Sequence, residues 1–148
     1  MKRMTRWLLA LSLGCWCVWP INPARAAALP PVMENGFTLW TKGGADPALN
    51  AWQKGGLIEN DEKVANQVRY FKQMERAIGN FKTYELIQTK PVGRSSQILY
   101  LSMNFERGAI YARFLLYRAD DKWVVQNMDF SSRPEAVMPW LAFEAGQE

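Results

Sequence analysis

The chain has 148 residues, of which 49% are hydrophobic and 22% charged, with 18 Lys and Arg, 14 Asp and Glu, and no His. Without histidine, Ser-His and Cys-His catalytic pairs and histidine metal sites are excluded. The length suits a single domain with one hydrophobic core.

The first 26 residues are predicted to be a secretory signal peptide. Three basic residues precede an apolar run from Trp7 to Trp19, and small residues follow as far as Ala26, after which cleavage is expected. The run is shorter than the roughly 20 residues that cross a bilayer, so the mature chain is expected to be soluble, without a transmembrane segment, and periplasmic or secreted. A competing interpretation is lipidation at Cys15, although Leu13 stands one place from the usual lipobox position.

Removal of this leader changes the charge and the chemistry of the chain. Both cysteines and four basic residues leave with it, so that 14 basic residues remain against the 14 acidic ones. A net charge near zero gives no support for a nucleic-acid or anionic-membrane partner. Disulfides and thiol nucleophiles are excluded from the mature chain, and no metal or cofactor is expected.

Residues 27–45 are predicted to be a flexible N-terminal segment, because prolines and glycines punctuate "ALPPVMENG". Within it, Phe37 to Trp40 is interpreted as a short apolar arm or an edge strand. A single α+β domain is predicted over residues 46–143, followed by a tail at residues 144–148.

Two helices are predicted next. The first begins with Asp46 as its cap and Pro47 in its first turn, ends at Gly55-Gly56, and docks through Trp52. The second begins at Asn60, ends at Gly79 and has an amphipathic pattern. Its apolar residues recur near the helical period: Val64, Val68, Phe71, Met74 and Ile78. A basic stripe on the other side is interpreted as a solvated face rather than a grip for an acidic partner.

From Phe81 onward the hydrophobic period becomes two, which predicts a four-stranded antiparallel meander. The strands are "FKTYELIQTK", "QILYLSMNF", "IYARFLLYR" and "WVVQNMDF". A two-residue turn at Arg107-Gly108 would place Phe105 opposite Ile110 and require a positive φ at the glycine. Helices covering the apolar face of such a sheet make an α+β domain.

The alternation gives the sheet two different faces. The core face carries Leu99, Leu101, Met103, Phe114 and Leu116, with no polar member on the two central strands. The other face mixes aromatic rings with hydrogen-bonding groups. Six of its side chains are the candidate ligand-binding residues: Tyr100, Asn104, Tyr111, Arg113, Asn127 and Asp129.

The face of the sheet on which Asp129 lies depends on the register of the last strand. With an Asp120-Asp121 turn and no irregularity, Asp129 would face the core, where an unpaired carboxylate is costly. We expect a bulge partway along the strand, because it buries both Trp123 and Phe130 and brings Asp129 beside Arg113. A structural ion pair is favoured over a ligand contact.

The segment after the last strand is predicted to form one helical turn. Ser132 and Glu135 have capping-box spacing, Pro134 lies in the first turn and Pro139 stops it. Trp140 and Phe143 then either fold back on the domain or face a partner.

Residues 79–140 resemble small exported bacterial proteins without an assigned activity, whose layout is similar to the nuclear-transport-factor-two-like superfamily. The matching elements are "G-x-x-x-x-Y-E-L" at Gly79–Leu86, "Y-x-x-x-x-F-E-R-G" at Tyr100–Gly108, "W-V-V-Q-N" at Trp123–Asn127 and "R-P-E-A-V-M-P" at Arg133–Pro139. The resemblance implies a cone-like sheet wrapped on helices, with a possible pocket and a possible homodimer. No catalytic motif of the superfamily's enzymes matches.

Three functions follow as hypotheses. The first is an exported non-catalytic module that binds a small apolar ligand or a protein. The second is a pocket enzyme with Asp129 as a general base and Tyr100 or Tyr111 as hydrogen-bond donor. The third is a lipid-anchored envelope protein, which requires lipidation at Cys15.

Overall fold

The computed structural model describes residues 28–59 and 62–141. Three helices precede four strands, and a short helix follows them. The elements are α1 Pro31–Gly43, α2 Ala45–Gln53, α3 Glu62–Ile78, β1 Phe81–Pro91, β2 Ser96–Phe105, β3 Ala109–Ala119, β4 Lys122–Ser131 and α4 Pro134–Val137. The sheet is antiparallel in the order β1-β2-β3-β4. The predicted α+β fold class is confirmed.

Helix α1 corrects the prediction for the N-terminal segment. Residues 31–43 are neither a flexible segment, an arm nor an edge strand, because they form a helix with Met33, Phe37 and Trp40 buried along one side. Pro31 suits the first turn, where its missing N–H costs nothing, and Gly44 ends the helix with a φ of +78°. The proline that suggested flexibility therefore starts the helix.

Gly36 in the middle of α1 allows α1 and α2 to touch. A Cβ atom on this residue would lie 1.8 Å from Nε1 of Trp52, which is itself fully buried. The indole N–H of Trp52 donates a hydrogen bond of 3.4 Å to the carbonyl oxygen of Met33. The absence of a side chain at Gly36 thus makes room for the tryptophan that joins the two helices.

The two predicted helices are confirmed as α2 and α3, with small changes at their ends. Helix α2 begins at Ala45 after Gly44, so Asp46 lies in the first turn rather than at the cap. Helix α3 buries Val64, Val68 and Phe71, and Gly79 follows it with a φ of +86°. The predicted cap, Asn60, lies outside the described residues.

The register between β2 and β3 differs from the prediction by two residues. Met103 pairs with Ile110 and Leu99 with Phe114, because Asn104 and Ala109 close the ladder around a longer connection. A two-residue shift keeps every side chain on its predicted face. Gly108 has no positive φ, so the predicted conformational demand at this turn was wrong.

Strand β4 contains the expected bulge. Leu115 pairs with Asn127 but Leu116 pairs with Val125, so Gln126 is the extra residue. The Asp120-Asp121 turn is confirmed by the pair Ala119–Lys122, with a φ of +53° at Asp120. Trp123 and Phe130 both pack against the main core, as the bulge was predicted to allow.

The space between the helices and the inner face of the sheet is filled with aromatic rings. Trp52 packs edge-on against Phe114 with a centroid distance of 4.8 Å, and Phe71 packs edge-on against Phe130 at the same distance. Trp40 meets Phe71 at 4.7 Å. Each of Trp40, Trp52, Phe71 and Phe114 is at most 2% exposed. These rings form the core that joins the helices to the sheet.

The outer face of the sheet carries a second, smaller apolar cluster. Tyr100, Val137 and Met138 form it, where the segment after β4 folds back over the strands. No helix among residues 28–59 and 62–141 is long and apolar enough to cross a membrane.

Candidate functional site

The six predicted site residues all belong to the outer face of the sheet. Tyr100 pairs directly with Arg113 across β2 and β3, and Arg113 pairs directly with Asp129 across β3 and β4. Helices α1, α2 and α3 pack on the opposite face, whereas the short α4 lies on the outer face. The candidate residues therefore surround no part of the aromatic interior.

Arg113, Asn127 and Asp129 form one polar cluster. The guanidinium of Arg113 donates to Oδ2 of Asp129 through Nη2 at 2.8 Å and through Nε at 3.1 Å. The amide Nδ2 of Asn127 donates to the same oxygen at 2.9 Å. The predicted pairing of Asp129 with Arg113 is confirmed.

This ion pair is partly exposed to solvent, with side-chain exposures of 39% for Arg113 and 40% for Asp129. An exposed pair of this kind stabilises a fold by no more than about 1 kcal/mol, because water competes with both charges. Oδ2 of Asp129 already accepts three hydrogen bonds from the neighbouring Arg113 and Asn127. The arrangement is that of a surface anchor between two strands.

Asn104 belongs to a different network. Its Nδ2 donates to Oε1 of Glu85 at 2.8 Å, and its Oδ1 accepts a hydrogen bond from the hydroxyl of Ser102 at 2.9 Å. Glu85 lies on β1 and was not among the predicted site residues. Its place in the outer face follows from the β1–β2 pairing, which alternation in β1 alone does not determine.

The two candidate tyrosines are partly hidden. Tyr100 is 4% exposed beneath the segment that follows β4, and Tyr111 packs against the same cluster at half-burial. The structure therefore assembles Arg113, Asn127 and Asp129, joins Asn104 to Glu85, and covers Tyr100.

Two clefts that sequence reasoning missed meet at Trp123, where the sheet opens beyond the N-terminus of α1. We call them the Trp123 clefts. The first, of about 360 Å³, is lined by Ala28, Leu29, Pro30, Pro31, Leu86, Thr89, Gln97, Leu99 and Trp123. The second, of about 270 Å³, is lined by Pro31, Val32, Asp121, Lys122 and Trp123.

Trp123 is the wall that the two clefts share, together with Pro31. The ring is half-buried, and the guanidinium carbon of Arg118 lies 5.8 Å from its centroid. Such a cation over an aromatic face restrains the indole. The walls of the first cleft are mainly apolar, and Thr89 and Gln97 add polar groups at its edge.

A third depression, of about 330 Å³, lies between α1 and β1. Three of its polar side chains are already paired: the hydroxyls of Thr38 and Thr41 donate to carbonyl oxygens of their own helix, and Lys82 forms an ion pair of 2.9 Å with Glu106. The hydrogen bond and charge of Lys82 hold the pKa of the Glu106 carboxyl below its usual value. The ammonium group of Lys82, the cation that lines this groove, is therefore already engaged by Glu106.

Among the described residues, no three His, Cys, Asp or Glu side chains are grouped so that they could hold a metal ion. No family model matches the chain, and no curated protein matches it.

Two solved structures are similar to the chain. One is an NTF-2-like protein of unknown function from Shewanella oneidensis, with 18% identity and a TM-score of 0.46, over 68% of this chain and 93% of that one. The other is a putative calcium/calmodulin-dependent protein kinase type II association domain from Thiobacillus denitrificans, with 15% identity and a TM-score of 0.43, over 67% and 90%.

Proposed function

We propose that the mature chain is an exported, non-catalytic module that binds a small apolar molecule in the Trp123 clefts. The observation that carries this proposal is the first cleft, whose described lining has no charged residue and is closed on one side by an indole ring. Its volume of about 360 Å³ falls within the range of small-molecule sites.

The lining explains which ligand chemistry fits. Leu29 is 7% exposed and Leu99 is 1% exposed, so both present fixed apolar walls rather than mobile side chains. Thr89 and Gln97 can each orient one polar group of a ligand at the rim. A compact molecule with one or two rings and a single polar substituent matches this combination.

Two features of the molecule, its aromatic interior and the environment of Asp129, support the non-catalytic part of the proposal. The part of the interior around Trp52, Phe71 and Phe114 is packed with rings, which leaves no room for a substrate among them. On the outer face of the sheet, Oδ2 of Asp129, the candidate general base, accepts three hydrogen bonds. Neither observation favours the enzyme hypothesis.

Binding can be tested with N-phenyl-1-naphthylamine, a neutral apolar probe whose fluorescence rises out of water. We expect saturable binding to the wild-type chain that Thr89→Arg weakens about tenfold, because the new charge would have to be desolvated in an apolar cleft. Thr89 is exposed, so the fold should tolerate this change.

The matched control is Gln88→Arg, which introduces the same arginine one residue earlier in the strand. Gln88 pairs with Tyr100 and belongs to the other side of the strand. Gln88→Arg should leave the affinity for the probe within about twofold of the wild-type value, because successive side chains of a strand point to opposite faces. Equal weakening by both substitutions, or no saturable binding to wild type, would show that the clefts are not the site.

Export rests on the residues before Ala28, which lie outside the described part of the chain. The intact mass of the protein recovered from outside the cytoplasm decides between the alternatives. A start at Ala27 is expected from cleavage after Ala26. A diacylglyceryl group on a retained Cys15 would establish the lipid-anchored alternative instead.

A further inference from the structure

The two Trp123 clefts differ in charge although they share a wall. The described lining of the first cleft holds no charged residue, whereas Asp121 and Lys122 line the second. Pro31 and Trp123 line both. A ligand whose apolar part lies in the first cleft against the indole therefore has charged side chains beside it in the second.

Two cations flank Trp123. Lys122 directly precedes it in β4, and Arg118 is its partner across the β3–β4 pairing, with the guanidinium carbon 5.8 Å from the ring centroid. Within the described chain, neither cation forms an ion pair with a carboxylate. The guanidinium of Arg118 donates one hydrogen bond of 3.4 Å, from Nη2 to the carbonyl oxygen of Arg94, so its other N–H groups are available to a ligand.

One carboxylate of the second cleft opposes these two cations. Asp121 forms no ion pair with either of them in the part of the chain that the structure describes, so it does not neutralise them by direct contact. A positively charged ligand would also be repelled at the indole, because Arg118 already lies over that ring. The charges beside Trp123 therefore favour a negatively charged ligand group.

We propose that the ligand of the Trp123 clefts is an aromatic anion, whose rings lie in the first cleft and whose single carboxylate or sulfonate group lies beside Lys122 and Arg118. This inference rests on the proposed function, because it names the ligand chemistry of the same site. Both cations are pure donors, and an anionic oxygen accepts from them more strongly than a neutral one does. The contact with Trp123 holds the guanidinium of Arg118 in place before the ligand arrives.

Two fluorescent probes that differ by one anionic group provide the test. The probe 8-anilino-1-naphthalenesulfonate is N-phenyl-1-naphthylamine with one sulfonate added, so the ring system stays constant. At low salt, Lys122→Gln and Arg118→Gln should each weaken binding of the sulfonate about fivefold and leave the neutral probe within about twofold. Asp121→Asn should strengthen sulfonate binding about twofold, because it removes the opposing charge.

Two further variants serve as controls. Arg118→Lys keeps the charge and should retain most of the affinity for the sulfonate. Arg107→Gln removes an exposed cation beyond the other end of the 11-residue strand β3, on the order of 30 Å away, and should leave both probes within about twofold. Raising the salt from about 0.01 M to about 1 M, which shortens the screening length from about 30 Å to about 3 Å, should weaken the sulfonate relative to the neutral probe.

The outcomes separate this inference from the proposed function. Saturable binding of the neutral probe, with sulfonate binding that Lys122→Gln leaves unchanged or strengthens, would overturn the anionic ligand and keep the apolar site. Equal weakening of the sulfonate by Lys122→Gln and Arg107→Gln would show only general attraction to a cationic surface and would overturn the inference as well. If neither probe binds the wild-type chain, the proposed function and this inference both fail.

Discussion

The inner and outer faces of the sheet use the same strands for different purposes. On the inner face Leu101, Met103 and Phe114 are fully buried, and rings from three helices complete the packing. On the outer face Arg113 and Asp129 are about 40% exposed and lie near Tyr100, which the segment after β4 covers. The inner face supplies stability, while the outer face keeps polar groups beside a small apolar cluster formed with the segment after β4.

This division depends on a single extra residue. Without the bulge at Gln126, the second half of β4 would turn Asp129 inward and Phe130 outward. The bulge reverses that alternation where β4 reaches the ion pair. Substitutions on the two faces should therefore differ in their cost by several kcal/mol, from the packed rings down to the solvent-exposed pairs.

The largest effect is expected at Phe114. Its ring is fully buried and contacts Trp52 and Phe130, so Phe114→Ala should lower the free energy of unfolding by about 3–5 kcal/mol. The matched control is Tyr117→Ala, on the same strand but 39% exposed, which should cost less than about 1 kcal/mol. Urea denaturation measures both. Similar losses at the two positions would contradict the assignment of the faces.

Gly36→Ala should rank next. The added methyl group would collide with the indole of Trp52, and overpacking of this kind costs about 1–3 kcal/mol. Gly108→Ala is the control, since a Cβ there meets only Ile78 at an ordinary 3.8 Å. Thermal melts of the two variants and the wild type compare their melting temperatures. If the Gly36 variant melts with the wild type, then α1 and α2 do not approach as closely as described.

Substitutions in the Arg113–Asp129 pair should have a small effect on the free energy of unfolding. Asp129→Asn and Arg113→Met should each lower the free energy of unfolding by less than about 1 kcal/mol, because both groups are partly solvated. The double variant should lose less than the sum of the two single losses, since the second change removes a charge already without its partner. Strictly additive losses would mean that the pair contributes nothing in solution.

The smallest effect is expected at Lys82 and Glu106, at the turn end of the sheet. Lys82 holds the pKa of Glu106 below its ordinary value, so the pair stabilises the fold above the unfolded-state pKa of glutamate and loses this contribution as the pH falls through the folded-state pKa. Lys82→Gln should therefore be slightly less stable than wild type at neutral pH and equal to it in acid. Urea melts at the two pH values make the comparison, and a gap that widens in acid would contradict the sign.

The outer-face pairing could be predicted from the sequence because strands have a strict period of two. Once Trp123 and Phe130 both require burial, a bulge must lie between them, and Asp129 then falls beside Arg113. The exact partners of β2 and β3 could not be predicted in the same way. A shift of two residues leaves every face unchanged, so the hydrophobic pattern cannot detect it.

Helix α1 and the Trp123 clefts escaped prediction for a related reason. Pro30, Pro31 and Gly36 are local signals of irregular chain, yet Pro31 begins the helix and Gly36 admits Trp52. With α1 read as flexible, nothing in the sequence placed Leu29 and Pro31 against Trp123. The cleft is a product of segments far apart in the chain.

The sequence alone determined the order of the elements from α2 onward, the two faces of the meander and the pairing of Asp129, because periodicity and the cost of burying a charge are local properties of each element. The tertiary structure alone decided that aromatic rings fill the core, that an apolar cleft remains beside Trp123 and that the segment after β4 covers Tyr100. Those features depend on which distant side chains meet, and packing density rather than pattern selects among the possible neighbours.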